Sequence, residues 1–241
     1  LGIKVKDGDK TLIEKLVDDG VVTEEAAEAA GLVSGAVALD VKGAVALNSK
    51  IVEVSLNTAA TAKDLAAAAF AVKDAAGKEV AVAGAEFAPW STNNKSVLVT
   101  LGDDTTSGTL YTMTAGEKSI NFGGKAKDTT KPKIADNGVE STDYNQVKVT
   151  FTEPVLISGA TFAIAEKYGS KAALEITSVG YDSSTAVLLS TADQKDATLY
   201  GIEVAGAVDL AGNTMDKDSD KNFNGTKKND SDLEVVTADG T

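Results

Sequence analysis

Cysteine is absent from the 241 residues, so neither disulfides nor thiolate chemistry contributes, although secretion itself remains open. Histidine is absent too. Together these gaps remove Ser-His-Asp and Cys-His nucleophiles and leave oxygen ligands and lysine for metal or acid–base work, which suits a hard cation such as calcium. Arginine is also missing, so every basic side chain is lysine, and the net charge is -13. Nucleic acid is therefore not an expected partner: a polyanion is repelled, and the guanidinium forks that read phosphate and guanine edges are lacking. No run approaches the roughly 18 consecutive apolar residues of a membrane span, and no basic, apolar leader precedes Leu1, so no membrane partner is expected. Leu1 starts in mid-pattern and Leu233 to Val236 reads as a strand beginning, so the expectation is an excised piece of a longer chain.

What is present falls into two textures. Over residues 1–32, Thr11 and Glu14 make a capping-box pattern ahead of Leu12, Ile13, Leu16 and Val17. Gly20 can stop that helix, and Thr23 to Ala30 can form a second one closed by Gly31. This segment reads as a short helical linker or the end of a preceding module. From Val33 onward the pattern turns to short alternating runs separated by turn residues, the signature of an all-β sandwich or barrel.

Those runs repeat. Ile51-Val-Glu-Val-Ser-Leu56 answers Gln146-Val-Lys-Val-Thr-Phe151, Ala69 to Val72 answers Thr161 to Ile164, and Val80 to Phe87 answers Leu174 to Tyr181. Ser96 to Leu101 matches Thr185 to Ser190, Thr109-Leu-Tyr111 matches Thr198-Leu-Tyr200, and Asn121-Phe122 matches Asn222-Phe223. Six segments in unbroken order predict a duplicated domain. The expected fold is all-β, two tandem immunoglobulin-like β-sandwiches behind the helical segment: one over 33–127, one over 128–229, and the start of a further domain or a tail over 230–241. Tyr111 and Tyr200 have the setting of a tyrosine corner, and the Ala-rich stretch from Ala59 to Ala69 predicts a helical turn or two between strands.

The copies differ most where the second gains about 12 residues between Tyr200 and Phe223, including Val208-Asp-Leu-Ala-Gly-Asn213. The second copy also carries Thr152-Glu-Pro154 where the first has Asn57-Thr-Ala59. In a sandwich the start of the first strand (Asp128), the end of the second (Glu153) and the loop between the sixth and seventh (Asp209, Asn213) fall at one pole, which faces the first domain. Two or three carboxylates, an amide and backbone carbonyls can supply the six to eight oxygens calcium takes, so the expected metal ligands are Asp128, Glu153, Asp209 and Asn213. The plainer reading makes Glu153 and Asp209 turn residues. Asp216-Lys-Asp-Ser-Asp220 has the alternate-oxygen opening of an EF-hand loop, but Lys221 and Lys227 stand where its glycine and final glutamate belong. Trp90, the sole tryptophan, is expected to fill a core edge; the rival role is stacking on sugar.

The segments Ala46 to Val54, Val147 to Val155, Gly-Thr-Leu-Tyr111 and Val208 to Asn213 resemble the bacterial Ig-like domains of surface-layer (S-layer) proteins of bacilli and clostridia, over about residues 33 to 230. The resemblance implies a non-catalytic, extracellular structural module of the cell surface and cell wall. It also implies calcium holding domains in fixed orientation, at Asp128, Glu153, Asp209 and Asn213. Implied partners are further copies or neighbouring surface-layer subunits, with cell-wall polysaccharide bound through regions outside this chain. Similar domains occur in adhesins and as spacers in extracellular glycoside hydrolases, so an adhesin or carbohydrate-binding spacer is the alternative expectation.

Overall fold

In the computed structural model, residues 20, 21, 23, 39–67, 70–116 and 118–228 are described. The helical pair expected over 11–31 is otherwise outside the described residues, as is the segment after 230. Two antiparallel β-sandwiches of immunoglobulin-like type follow one another along the chain. The first contains β1 (Val41–Ala46), β2 (Ile51–Leu56), α1 (Ala62–Ala67), β3 (Phe70–Asp74), β4 (Glu79–Val80), β5 (Val82–Phe87), β6 (Ser96–Leu101), β7 (Leu110–Ala115) and β8 (Lys118–Gly123). Its sheets have the orders β1-β2-β6-β5 and β4-β3-β7-β8.

The second contains β9 (Ile134–Asp143), β10 (Gln146–Phe151), β11 (Val155–Leu156), β12 (Thr161–Glu166), β13 (Ala173–Leu174), β14 (Ile176–Ser183), β15 (Ala186–Thr191), β16 (Leu199–Ala205), β17 (Val208–Asp209) and β18 (Asn222–Asn224). Its sheets, β14-β15-β10-β9 and β13-β12-β16-β18, repeat the first pair strand for strand. What is new is a two-stranded ladder, β11 with β17, which the first sandwich lacks among the described residues.

Strict alternation forms these strands: Val52, Val54 and Leu56 of β2 turn inward, as do Val147, Val149 and Phe151 of β10. The inward faces build two separate cores, one around Val52, Val54, Val97, Val99 and Met113 and one around Val147, Val149, Val187, Leu189 and Ile202. Both tyrosines form corners, with Tyr111 Oη accepting from the Thr106 N–H (2.9 Å) and Tyr200 Oη from the Lys195 N–H (3.0 Å). The short helix α1 is capped reciprocally: Thr61 N–H donates to Asp64 Oδ2 (2.8 Å) and Asp64 N–H to Thr61 Oγ1 (3.2 Å).

One match between the copies shifts by a residue. Val52 pairs with Val99 and Val147 with Leu189, so Ser96 corresponds to Ala186 rather than Thr185. Ala186-Val-Leu-Leu189 is apolar at every position, so period-2 alternation does not set its phase.

Candidate metal centre

The β11–β17 ladder pairs Val155 with Asp209 and Leu156 with Val208. It is built from the residues that follow Thr152-Glu-Pro154 at the end of β10 and from the Asp209-Leu-Ala-Gly-Asn213 turn, which folds back on itself. In that turn Asp209 Oδ1 accepts from the N–H groups of Ala211 (2.7 Å) and Asn213 (2.8 Å), and the Asp209 N–H donates to Asn213 O (3.0 Å). Gly212 has φ of +90°, a backbone conformation that favours glycine. Asp209 is thereby held at 2% exposure, a buried carboxylate at the end of a strand.

Asp128 arrives from the connector between the sandwiches and Glu153 from the end of β10. The carboxylate oxygens of Asp128, Glu153 and Asp209 lie within 4.8 Å of one another, the first two half-buried and the third buried. Asn213 joins them through its amide nitrogen, donating to Asp209 Oδ2 (2.7 Å) and to Asp128 O (3.4 Å). All four residues singled out in the sequence are therefore adjacent, with Asn213 placed to hold Asp209 in position. Asp216 and Asp220, from the second acidic run, are not among the three grouped carboxylates; Asp216 pairs with Lys131 (2.7 Å).

Electrostatics make the cluster costly without a counter-charge. Among the described residues none of the three carboxylates takes part in an ion pair. Burial, reinforced by the neighbouring Asp128 and Asp209, pushes the Glu153 carboxyl up to about 7, and Lys125 opposes this weakly. The donor set is all oxygen, which fits calcium and suits neither zinc nor copper. A cavity of about 10 Å³, bounded by Asp128, Glu153, Pro154, Leu210, Ala211 and, from the first sandwich, Leu47 and Asn48, has room for a single water-sized occupant.

The connector is tied to both sides. Lys125 N–H donates to Thr105 Oγ1 (3.2 Å), Thr105 Oγ1 donates to Lys125 O (3.1 Å), and Lys125 Nζ donates to Leu47 O (3.4 Å), all on the first sandwich. Three residues later Asp128 belongs to the cluster on the second.

Trp90 departs from its expected place. It is not part of the first core; its Nε1 donates to Glu53 Oε1 (2.8 Å) and its ring meets Tyr181 of the second sandwich edge-on, centroids 6.0 Å apart. A lone aromatic without periodicity carries no sequence signal for a partner 91 positions away.

Among the described residues no helix is long and apolar enough to cross a membrane. No family model and no curated protein matches the chain. Solved structures with some likeness include the S-layer protein rSbsC(31-844), 16% identical over 88% of this chain and 37% of that one, at a TM-score of 0.36. A GBS pullulanase SAP in complex with maltotetraose is 13% identical over 68% of this chain and 22% of its own, at 0.28. Tandem Ig repeats of Dlar are 12% identical over 78% of this chain and 95% of theirs, at 0.25. This chain thus spans well under half of the first two, and at such TM-scores the likenesses carry no functional weight beside the geometry of the site itself.

Proposed function

We propose that this chain is a structural module of a bacterial surface-layer protein in which calcium, held by Asp128, Glu153 and Asp209, fixes the angle between two tandem sandwiches for array assembly. The observation that carries the cation reading is the cluster itself: three carboxylates within 4.8 Å, none of them in an ion pair among the described residues, with Asp128 and Glu153 bounding a cavity of single-occupant size. The surface-layer reading rests on the sequence resemblance over residues 33 to 230, and the partners it implies are further copies of the same protein, outside the cell.

The mechanism is mechanical rather than catalytic. Short-linked tandem domains move relative to one another unless something holds them. Here the connector is fastened to the first sandwich at Lys125, and a cation fastens it to the second at Asp128, with two residues, Ala126 and Lys127, between the two fastenings. Asn213 holds Asp209 from behind, in the role that outer partners play at metal sites.

The test combines calorimetric calcium titration with small-angle scattering of the whole chain. Calcium is expected to bind and to narrow the distribution of intramolecular dimensions, excess chelator to reverse this, and Asn213→Ala to weaken binding about 10- to 100-fold. Absence of binding heat, with scattering profiles superimposable in calcium and chelator, sinks the reading and returns Glu153 and Asp209 to the status of turn residues.

A further inference from the structure

The one tryptophan of the chain does work that neither core requires. Trp90 sits in the turn after β5, and that turn is shaped by Ser91 Oγ, which accepts from the N–H groups of Lys95 (3.0 Å) and Ser96 (3.1 Å). The indole is pinned on the outer face of the β2–β6 sheet by Glu53, whose Oε1 accepts from Trp90 Nε1 and from Ser96 Oγ. A charge-assisted bond of this kind orients a ring that would otherwise have rotamer freedom. The oriented ring meets Tyr181 of the second sandwich at an interplanar angle of 66°, an edge-to-face arrangement.

Tyr181 in turn belongs to the framework of the acidic cluster. Its Oη accepts from the Ile157 N–H (3.1 Å), which ties β14 to the residue after β11. At the other end of the same five-residue stretch stands Glu153. Between them, Val155 donates to Ser184 O (3.1 Å) in the β14–β15 turn and pairs with Asp209 across the ladder. One short segment therefore carries a carboxylate of the cluster at its start and the hydrogen bond to the interdomain tyrosine at its end.

We propose that Trp90 and Tyr181 form a second anchor of the junction, a pair of positioning residues that seats the first sandwich on the second and so presets Leu47 and Asn48 over the acidic cluster. The coupling to the cation rests on the calcium reading above; the anchor itself does not. With the aromatic contact made, the cation closes an already aligned site. Without it, the connector carrying Asp128 and the wall formed by Leu47 and Asn48 must be ordered at the moment of binding, and affinity falls although no ligand has changed. By reciprocity, cation binding tightens the aromatic contact and alters the environment of Trp90.

The experiment uses the full chain as wild type, Trp90→Ala and Trp90→Phe, with far-ultraviolet circular dichroism confirming intact sandwiches. In excess chelator, scattering from Trp90→Ala is expected to show a broader spread of maximum dimensions than wild type, with Trp90→Phe between the two because it keeps a ring against Tyr181 but loses the bond to Glu53. Calorimetry in calcium is expected to give an affinity about 5-fold or more weaker for Trp90→Ala, and calcium is expected to shift the emission of Trp90 in the wild type. Identical scattering of wild type and Trp90→Ala in chelator overturns the anchor, whatever calcium does. If wild type binds no calcium yet Trp90→Ala still broadens the profile, the anchor stands and the cation reading alone falls.

Discussion

At Glu153, burial and two neighbouring carboxylates raise the acid's pKa from its ordinary 4.5 to about 7. The folded value lies above the unfolded one, so protonated Glu153 favours the folded junction. That contribution is fully present below about pH 4.5 and is lost as pH rises through about 7. A cation makes the opposite demand, since it binds the ionised carboxylate and expels the proton. Thermal melts in chelator are expected to show the second sandwich losing stability between about pH 5 and 8, and excess calcium is expected to flatten or reverse that trend. Glu153→Gln, which cannot ionise, should remove this slope; a variant that keeps the wild-type slope would place the titration elsewhere. The carboxylates were legible in the sequence for a specific reason: Thr152-Glu-Pro154 and Val208-Asp-Leu-Ala-Gly-Asn213 are both present in the second copy and both missing from the first. That Asn213 meets the cluster through its nitrogen was not legible, because an amide can serve either as donor or as acceptor.

The strands and turns show where periodicity informs and where it fails. Thr-Leu-Tyr at equivalent places of the two copies identified both corners, and the structure adds the ring stacking, Tyr111 on Phe122 at 5.5 Å and Tyr200 on Phe223 at 5.4 Å. Each corner also needs a glycine: a Cβ on Gly124 would lie 2.6 Å from Tyr111 Cε2, and one on Gly225 would lie 2.8 Å from Tyr200 Cε2. Tyr200→Phe keeps the stack but strands the Lys195 N–H, at an expected cost of about 1–2 kcal/mol to the second sandwich. By differential scanning calorimetry that is a fall of about 4–8 °C per kcal/mol in one transition, with the first sandwich unmoved; an unshifted profile would mean water replaces the hydroxyl without loss. The phase of β15 was hidden by an apolar run on both faces, and β11 and β17, two residues each, are too short to show alternation at all. The element that carries the site is thus the one that pattern alone could not draw, although the gained residues marked its place.

For the molecule as a whole, the two cores share no residue, so the sandwiches are expected to melt as separate cooperative units. The three carboxylates all lie on the connector and the second sandwich, none on the first. A ligand that binds only the folded form stabilises by mass action, about 2.7 kcal/mol at a hundredfold excess over Kd. The direct effect of calcium should therefore fall on one unit: the transition of the second sandwich is expected to rise, on the order of 10 °C. The first should move little, because its share in the site is the packing of Leu47 and Asn48 against the same cavity. Leu101, 1% exposed in the first core, identifies which transition is which, since Leu101→Ala should lower the first by about 2–5 kcal/mol and leave the calcium response of the second intact. Asp209→Ala should abolish that response. If calcium instead raises both transitions by the same amount, the junction melts as one unit with the two cores, and the angle between the sandwiches is fixed by folding itself rather than by the cation.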